Sequence, residues 1–290
     1  MSANVMFVFG LGFSAQALSM RLLAEGWTVR GTTRSSDKAL RLTDMGIEAH
    51  LFDAGQPLAD LSVLDGVTHL LASVPPGPDG DPVLIHHGND LAVRASQITW
   101  AGYLSTTGVY GDRGGDWVDE SSILDPSTER GVRREVAETA WCALWREHRL
   151  PVHLFRLAGI YGPGRNALET VRQGKARRVV KPGQVFSRTH VHDIATVLAA
   201  SMIRPNPGAA YNVCDDDPAP PQDVIAHACD LLGVTPPPEI PFEDAELSEM
   251  ARSFYAESKR VSNARIKDEL GVELAYPDYR AGLAALLAES

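Results

Sequence analysis

The sequence predicts an α/β protein, a doubly wound parallel sheet followed by a smaller C-terminal lobe, and three observations predict it. Strand-like and helix-like segments alternate through the first half of the chain. A glycine-rich turn, Gly10-Leu11-Gly12-Phe13-Ser14-Ala15, falls directly between the first apolar run and the first helical pattern. Beyond Gly164 the alternation gives way to proline-punctuated stretches at Pro218–Pro221 and Pro236–Pro241.

Taken in order, Val5–Phe9 is a first strand, Ala15–Glu25 a helix, and Thr28–Thr33 a second strand. Asp37–Met45 is a second helix, begun near Ser35 or Ser36, whose hydroxyls suit an N-cap. Glu48–Phe52 makes a short third strand. His69–Val74 is a fourth, stopped by Pro75-Pro76-Gly77-Pro78, where missing amide donors and fixed φ forbid further ladder pairing, and a loop is expected to follow. Ile98–Ser105 gives strand five, Val132–His148 a long amphipathic helix, and Val152–Leu157 strand six, so at least six parallel strands are expected. Gln222–Leu232 and Asp244–Met250 read as helices of the lobe, and the chain returns to the sheet near Val185–Met202 and Ala210–Cys214. The expected boundaries are a first domain over 1–165, with returning segments near 185–215, and a lobe from 166–184 and 216–290.

With 44% hydrophobic and 22% charged residues the chain is an ordinary globular one. A net charge of −10 repels nucleic acid and anionic membranes before short-range contact forms, which leaves a small molecule as the expected partner. A homodimer is one assembly open to it. Cys142, Cys214 and Cys229 form no CxxC pair and no metal-ligand spacing, so reduced thiols are expected and no metal site is. Met1-Ser2-Ala3-Asn4 runs into the first strand without a basic leader, and no segment is long enough to span a bilayer. The cytoplasm is the expected compartment.

The glycine turn has the strand–turn–helix context that binds a dinucleotide. Gly10 makes the tight turn, Gly12 admits the pyrophosphate to the backbone, and Ala15 allows close helix–strand packing at a helix N-terminus. After the second strand, where an acid commonly holds the ribose of NAD, the chain reads Thr32-Thr33-Arg34-Ser35-Ser36. Arg34 suits a 2′-phosphate, with Ser35 or Lys38 adding contacts, and this favours NADP. The alternative is a solvated Arg34 with Asp37 serving the ribose of NAD.

Further landmarks follow in order: Asp53, Ser105-Thr106-Thr107-Gly108-Val109-Tyr110-Gly111, Asp119-Glu120, Pro126, Arg156, Tyr161-Gly162-Pro163-Gly164, His190-Val191-His192-Asp193, Tyr211-Asn212-Val213 and Leu270-Gly271. With the glycine turn, this series resembles the extended short-chain dehydrogenase/reductase superfamily, the NAD-dependent epimerase/dehydratase group, over nearly the whole chain. The resemblance implies a Rossmann domain with a substrate lobe, and cofactor contacts from Gly10, Gly12, Phe13, Ser14, Arg34, Ser35, Asp53, Ser73, Arg134 and Leu157. It also implies a hydroxyl, a tyrosine and a lysine as the catalytic set. The hydroxyl position falls on Thr106, the tyrosine position on Arg130 and the lysine position on Arg134.

Arginine holds its proton at neutral pH, so Arg130 is no substitute for a phenol that exchanges one. Arg134 keeps the donors and charge that hold the nicotinamide ribose. The pattern is similar to the atypical branch of the superfamily, in which the cofactor turn persists and the catalytic set is eroded. Thr107 and Gly108 stand where family dehydratases carry an Asp-Glu pair, which disfavours sugar-nucleotide dehydration. Tyr110 and Tyr161 read as packing residues. Thr106 reads as a ligand of a substrate oxygen or as a strand-end cap. His190 and His192 share a face if extended but lack a third metal ligand, Asp193 reads as an N-cap, and Arg188 is placed to reach a substrate anion. The basic stretch from Arg165 to Lys181 either faces solvent or draws an anionic substrate. Three functions stay open: an NADP-dependent oxidoreductase or epimerase-like enzyme, a non-catalytic NADP-binding regulator or scaffold, and a non-redox enzyme keeping NADP as a structural element.

Overall fold

The computed structural model describes residues 4–53 and 55–289, with the side chain of Met250 left aside. The reading of Met1-Ser2-Ala3 as a start without a leader lies outside the described residues. Two compact units are present: Met1–Thr106, Val132–Arg156 and Ile194–Tyr211 form one, and Thr107–Gly131, Leu157–Asp193 and Asn212–Ser290 the other.

The chain begins β1 (Val5–Phe9), α1 (Phe13–Ala24), β2 (Thr28–Thr33), α2 (Ser36–Asp44), β3 (Glu48–Leu51), β4 (His69–Ala72), α3 (Pro82–Arg94) and β5 (Trp100–Thr106). It continues through β6 (Trp117–Val118), α4 (Glu129–His148), β7 (Val152–Leu157), β8 (Gly159–Tyr161), α5 (Ala167–Arg172), β9 (Arg178–Val180), β10 (Arg188–His190) and α6 (Val191–Ile203). It ends with β11 (Ala210–Val213), α7 (Pro221–Leu232), β12 (Glu239–Pro241), α8 (Glu249–Phe254), β13 (Arg260–Val261), α9 (Ala264–Leu270) and α10 (Tyr279–Ala288).

Seven strands form one parallel sheet in the order β11-β7-β5-β4-β1-β2-β3, one more strand than the minimum expected. The inner strands are apolar on both faces because helices cover both: Met6 to Phe9 and Leu70 to Ala72 are buried. The first unit's core gathers Phe7, Phe9, Leu70, Tyr103, Trp141 and Leu154. From β1 the chain winds one way through β2 and β3 and then the other way through β4 and β5, so the order reverses between β1 and β4, where a doubly wound sheet opens a crevice at its C-terminal edge.

The loop expected after Pro78 is mostly helix α3. Asp81 caps it by accepting from the Val83 and Leu84 amides at 2.9 and 3.3 Å, and Pro82 occupies the first turn, where its missing N–H costs nothing. Val83, His87 and Leu91 then bury one helical face.

The second unit holds three two-stranded parallel pairs, β8 with β10, β9 with β12 and β6 with β13. Tyr161, Leu168, Val224, Ala228, Tyr279 and Leu283 form one apolar cluster, and Val109, Tyr110, Val118, Cys214 and Val261 another. The helix expected over Asp244–Met250 is displaced. Phe242–Asp244 is a single 3-10 turn, and α8 starts at Glu249 because Ser248 Oγ accepts the Ala251 amide at 3.2 Å. His190 and His192 do not share an extended face: His190 ends β10, His192 lies in the first turn of α6, and its amide donates to His190 Nδ1 at 3.2 Å. Asp193 is not an N-cap. It is the third residue of α6, and its carboxylate accepts from the Ala275 and Tyr276 amides at 2.8 and 3.1 Å. Among the described residues no helix is long and apolar enough to cross a membrane.

Candidate functional site

Five parallel strands of the first unit deliver predicted site residues to one sheet edge: the cofactor candidates Gly10 after β1, Arg34 after β2, Asp53 after β3 and Ser73 after β4, and the catalytic candidate Thr106 at the end of β5. Gly10 has φ +87°, and a Cβ there would stand 3.0 Å from Val74 Cγ2 and 3.2 Å from the Val74 amide nitrogen. Its own N–H donates to Thr32 Oγ1 and the Leu11 N–H to the Thr32 carbonyl, both at 2.8 Å, which ties the turn to β2. Gly12 differs in kind. It sits in extended backbone as the N-cap of α1 with no side-chain cap, and a Cβ would meet only Ser73 Oγ, at 3.9 Å. The approach to the N-terminus of α1, where a helix can receive phosphate, is therefore not blocked by a side chain at position 12. Ser14 and Ala15 are buried and Phe13 half-buried beside this opening.

Ser35 caps α2, its Oγ accepting the Lys38 amide at 3.3 Å. The Lys38 side chain turns back to donate from Nζ to the Leu11 carbonyl at 2.7 Å, between the two glycines. Burial pushes its ammonium below the usual lysine range, and the charges of Arg41 and Arg34 push it further the same way. Arg34 and Arg41 therefore each lie close enough to Lys38 to oppose its charge, yet none of the three has a carboxylate partner among the described residues. Asp53 is exposed and accepts the Gly55 amide at 2.9 Å.

Arg134 projects from α4 onto β5. Its Nη1 donates to Tyr103 Oη at 3.2 Å and to the Leu104 carbonyl, and the guanidinium lies 5.6 Å from the Tyr103 ring centre. Nε and Nη2 have no partner among the described residues, so two donors of a fixed fork stay available for a ribose. Thr106 is half-buried. Four residues beyond Arg134, Glu138 accepts Ser105 Oγ at 2.5 Å and a fork from Arg156, with Nη2 at 2.8 Å and Nε at 3.2 Å from the carboxylate. In the sequence Arg156 served only as a landmark, and its partner Glu138 was not singled out. Two opposite charges on buried, otherwise apolar faces were the signal that could have paired them. Arg41 was likewise missed, though it lies one turn from Lys38 on a helix already in view.

Leu157 ends β7 as a buried residue of the second unit. Arg130, also of that unit, is exposed, with its guanidinium 4.8 Å from the Phe254 ring centre. The tyrosines near the family turns pack: Tyr110 Oη donates to Asn212 Oδ1 at 2.8 Å, and Tyr161 Oη to the Asp278 carbonyl at 3.3 Å. Burial raises the Tyr161 phenol well above its ordinary range. Arg188 spends Nη1 on the Phe186 and Ala219 carbonyls, at 2.8 and 3.0 Å. The basic stretch is largely engaged as well. Arg172 pairs with Glu169, Arg178 with Glu239, Arg177 reaches the Glu246 carbonyl and Lys181 the Tyr255 carbonyl. Neither carboxylate oxygen of the buried Asp215 has a partner among the described residues, and burial pushes the group up to about 8, only partly opposed by Arg188.

No family model and no curated protein matches the chain. Among solved structures, a functionally unknown conserved protein from Silicibacter pomeroyi is 53% identical over 99% of both chains, with a TM-score of 0.91. A protein assigned as an NAD-dependent epimerase/dehydratase from Methylobacillus flagellatus is 25% identical over 100% of this chain and 99% of that one, with a TM-score of 0.72. The dTDP-glucose 4,6-dehydratase of Bacillus anthracis, in complex with NAD, superposes with a TM-score of 0.76 at 16% identity over 99% of this chain and 96% of that one.

Proposed function

The chain belongs to one family with the Silicibacter pomeroyi protein and has the epimerase/dehydratase fold, and from that premise we propose an NADP-binding oxidoreductase of epimerase-like type. The observation that carries the choice of cofactor is the group of Arg34, Lys38 and Arg41, cations without carboxylate partners beside the glycine turn. A lysine pressed by two arginines is costly unless an anion joins them, and a 2′-phosphate is the anion that separates NADP from NAD. In this reading the pyrophosphate lies over Gly12 and the first amides of α1, Ser73 and Asp53 line the same edge, and the free donors of Arg134 take the nicotinamide ribose. The cofactor supplies hydride exchange, while the protein binds and orients it.

Thr106 holds a substrate oxygen, and the proton passes through solvent, since the arginine at position 130 does not exchange one at neutral pH. Titration with NADPH and NADH, followed by fluorescence, tests the proposal. NADPH is expected to bind at least about tenfold more tightly, and Arg34→Ala with Lys38→Ala to remove about 10- to 100-fold of NADPH affinity while leaving NADH within twofold. Equal binding of the two by the native protein overturns the cofactor assignment.

A second reading, an NADP-binding regulator without turnover, is favoured by one observation. Arg130 packs on Phe254 where the resemblance calls for a reactive phenol. NADPH binding without oxidation across a panel of anionic carbonyl substrates favours that reading over the first.

A further inference from the structure

We infer that Glu138, held by Ser105 and Arg156, is a positioning residue that sets Arg134 for the nicotinamide end of the cofactor, an inference that rests on the NADP reading above. Arg134 and Glu138 are one turn apart on the same face of α4. Together they grip three consecutive residues at the end of β5: Arg134 takes Tyr103 Oη and the Leu104 carbonyl, and Glu138 takes Ser105 Oγ. Arg156 of β7 closes the other side of the carboxylate with a two-pronged fork.

The side chains of Glu138 and Arg156 are only 4% and 7% exposed. Taking two ions out of water costs about as much as their attraction returns, and a leucine–methionine pair would fill the same space without that cost. Stability alone therefore does not account for them. What they add is direction. A hydrogen-bonded carboxylate fixes both the roll of α4 and its height against β5, which an apolar contact leaves loose. Because Nη1 of Arg134 is anchored in the same stitch, the direction of Nε and Nη2 follows from it, as does the position of Thr106, the residue after Ser105.

The test compares NADPH with 2′,5′-ADP, which carries the same adenosine and 2′-phosphate but no nicotinamide ribose. Calorimetric titration uses the full chain as wild type, Ser105→Ala, Ser105→Thr, Arg134→Ala and the Ser105→Ala/Arg134→Ala double variant. Ser105→Ala removes only the hydroxyl and keeps the buried ion pair intact, so the fold is retained, and urea melts verify it. The expected result is an NADPH affinity lowered by about three- to tenfold with 2′,5′-ADP within twofold, recovery in Ser105→Thr, and no further loss when Ser105→Ala is added to Arg134→Ala. Unchanged NADPH binding, parallel loss of both ligands, or additive effects in the double variant each overturn the inference. If wild type binds neither ligand, the NADP reading itself falls and takes the inference with it. If wild type binds both and Ser105→Ala changes nothing, the inference falls alone.

Discussion

Gly10 and Gly12 stand two positions apart and answer to different constraints, which makes them separable by substitution. Gly10 is a folding requirement: at φ +87° an alanine is strained, and its methyl meets Val74 side chain and backbone within 3.3 Å. Gly12 has φ −81° and room around its missing Cβ, so an alanine there folds without strain. The expected outcome is that Gly10→Ala lowers the urea midpoint by about 1–3 kcal/mol of stability. Gly12→Ala is expected to leave the midpoint in place while weakening NADPH by at least about tenfold, because the methyl occupies the place of the pyrophosphate. Urea melts and NADPH titrations on the two variants check this. Both glycines were legible in the sequence because a strand and a helix frame them. Their division of labour was not, since it depends on Ser73 and Val74, which follow β4 more than sixty residues away. The engagement of the basic stretch was hidden for a related reason: main-chain carbonyls such as those of Pro237, Glu246 and Tyr255 leave no mark in a sequence.

Among the elements, the strands were read most closely, because short apolar runs bounded by glycine and proline admit few alternatives; β1, β2 and the Val152–Leu157 strand match the expected limits. Helix α3 was lost behind Pro75-Pro76-Gly77-Pro78, although the Asp81-Pro82 pair that starts it is a clear N-terminal signal. Its burial of His87 breaks the apolar spacing, and the histidine is tolerated there because Nε2 accepts the Leu58 amide at 3.0 Å while Nδ1 meets Asp90 at 3.0 Å. Asp81 does more than cap. Its second oxygen accepts the Trp141 indole N–H at 3.1 Å, which joins α3 to α4 inside the core. Asp81→Ala therefore removes a cap and orphans a buried donor, for an expected loss of about 2–4 kcal/mol in urea unfolding. A loss under about 1 kcal/mol would show that water replaces the carboxylate.

For the molecule as a whole, burial of titratable groups sets opposing limits on stability. Burial lowers His69, His153 and His190 to about 4, so the folded chain keeps them neutral while the unfolded chain, at the ordinary histidine value of 6.5, protonates them earlier. Their contribution is complete above pH about 6.5 and is lost as pH falls toward 4. His153 shows why: Nε2 accepts the Asn206 amide at 2.9 Å and Nδ1 faces the Ala101 carbonyl, leaving no place for a second proton without breaking a bond. Asp215 works in the other direction. Raised to about 8 from 3.8, it is protonated in the folded chain where the unfolded chain has ionised it, so stability falls as pH rises between those values. Asp215→Asn is accordingly expected to stabilise the protein more at pH 8 than at pH 5, on the order of 1–3 kcal/mol at the higher pH. Urea melts at the two pH values decide it, and an equal effect at both would place the Asp215 titration outside this window.

The Glu138–Arg156 pair also has a consequence for how this sequence can drift over generations. Losing either partner alone strands the other as a buried ion, a loss of about 3–5 kcal/mol against a typical total of roughly 5–15. Each single step away from the pair thus descends into a valley, while the far side, an apolar couple, is about as stable as the starting point. Change at these two positions is expected to arrive jointly or not at all, which makes them a paired character by which descendants of this chain can be told apart.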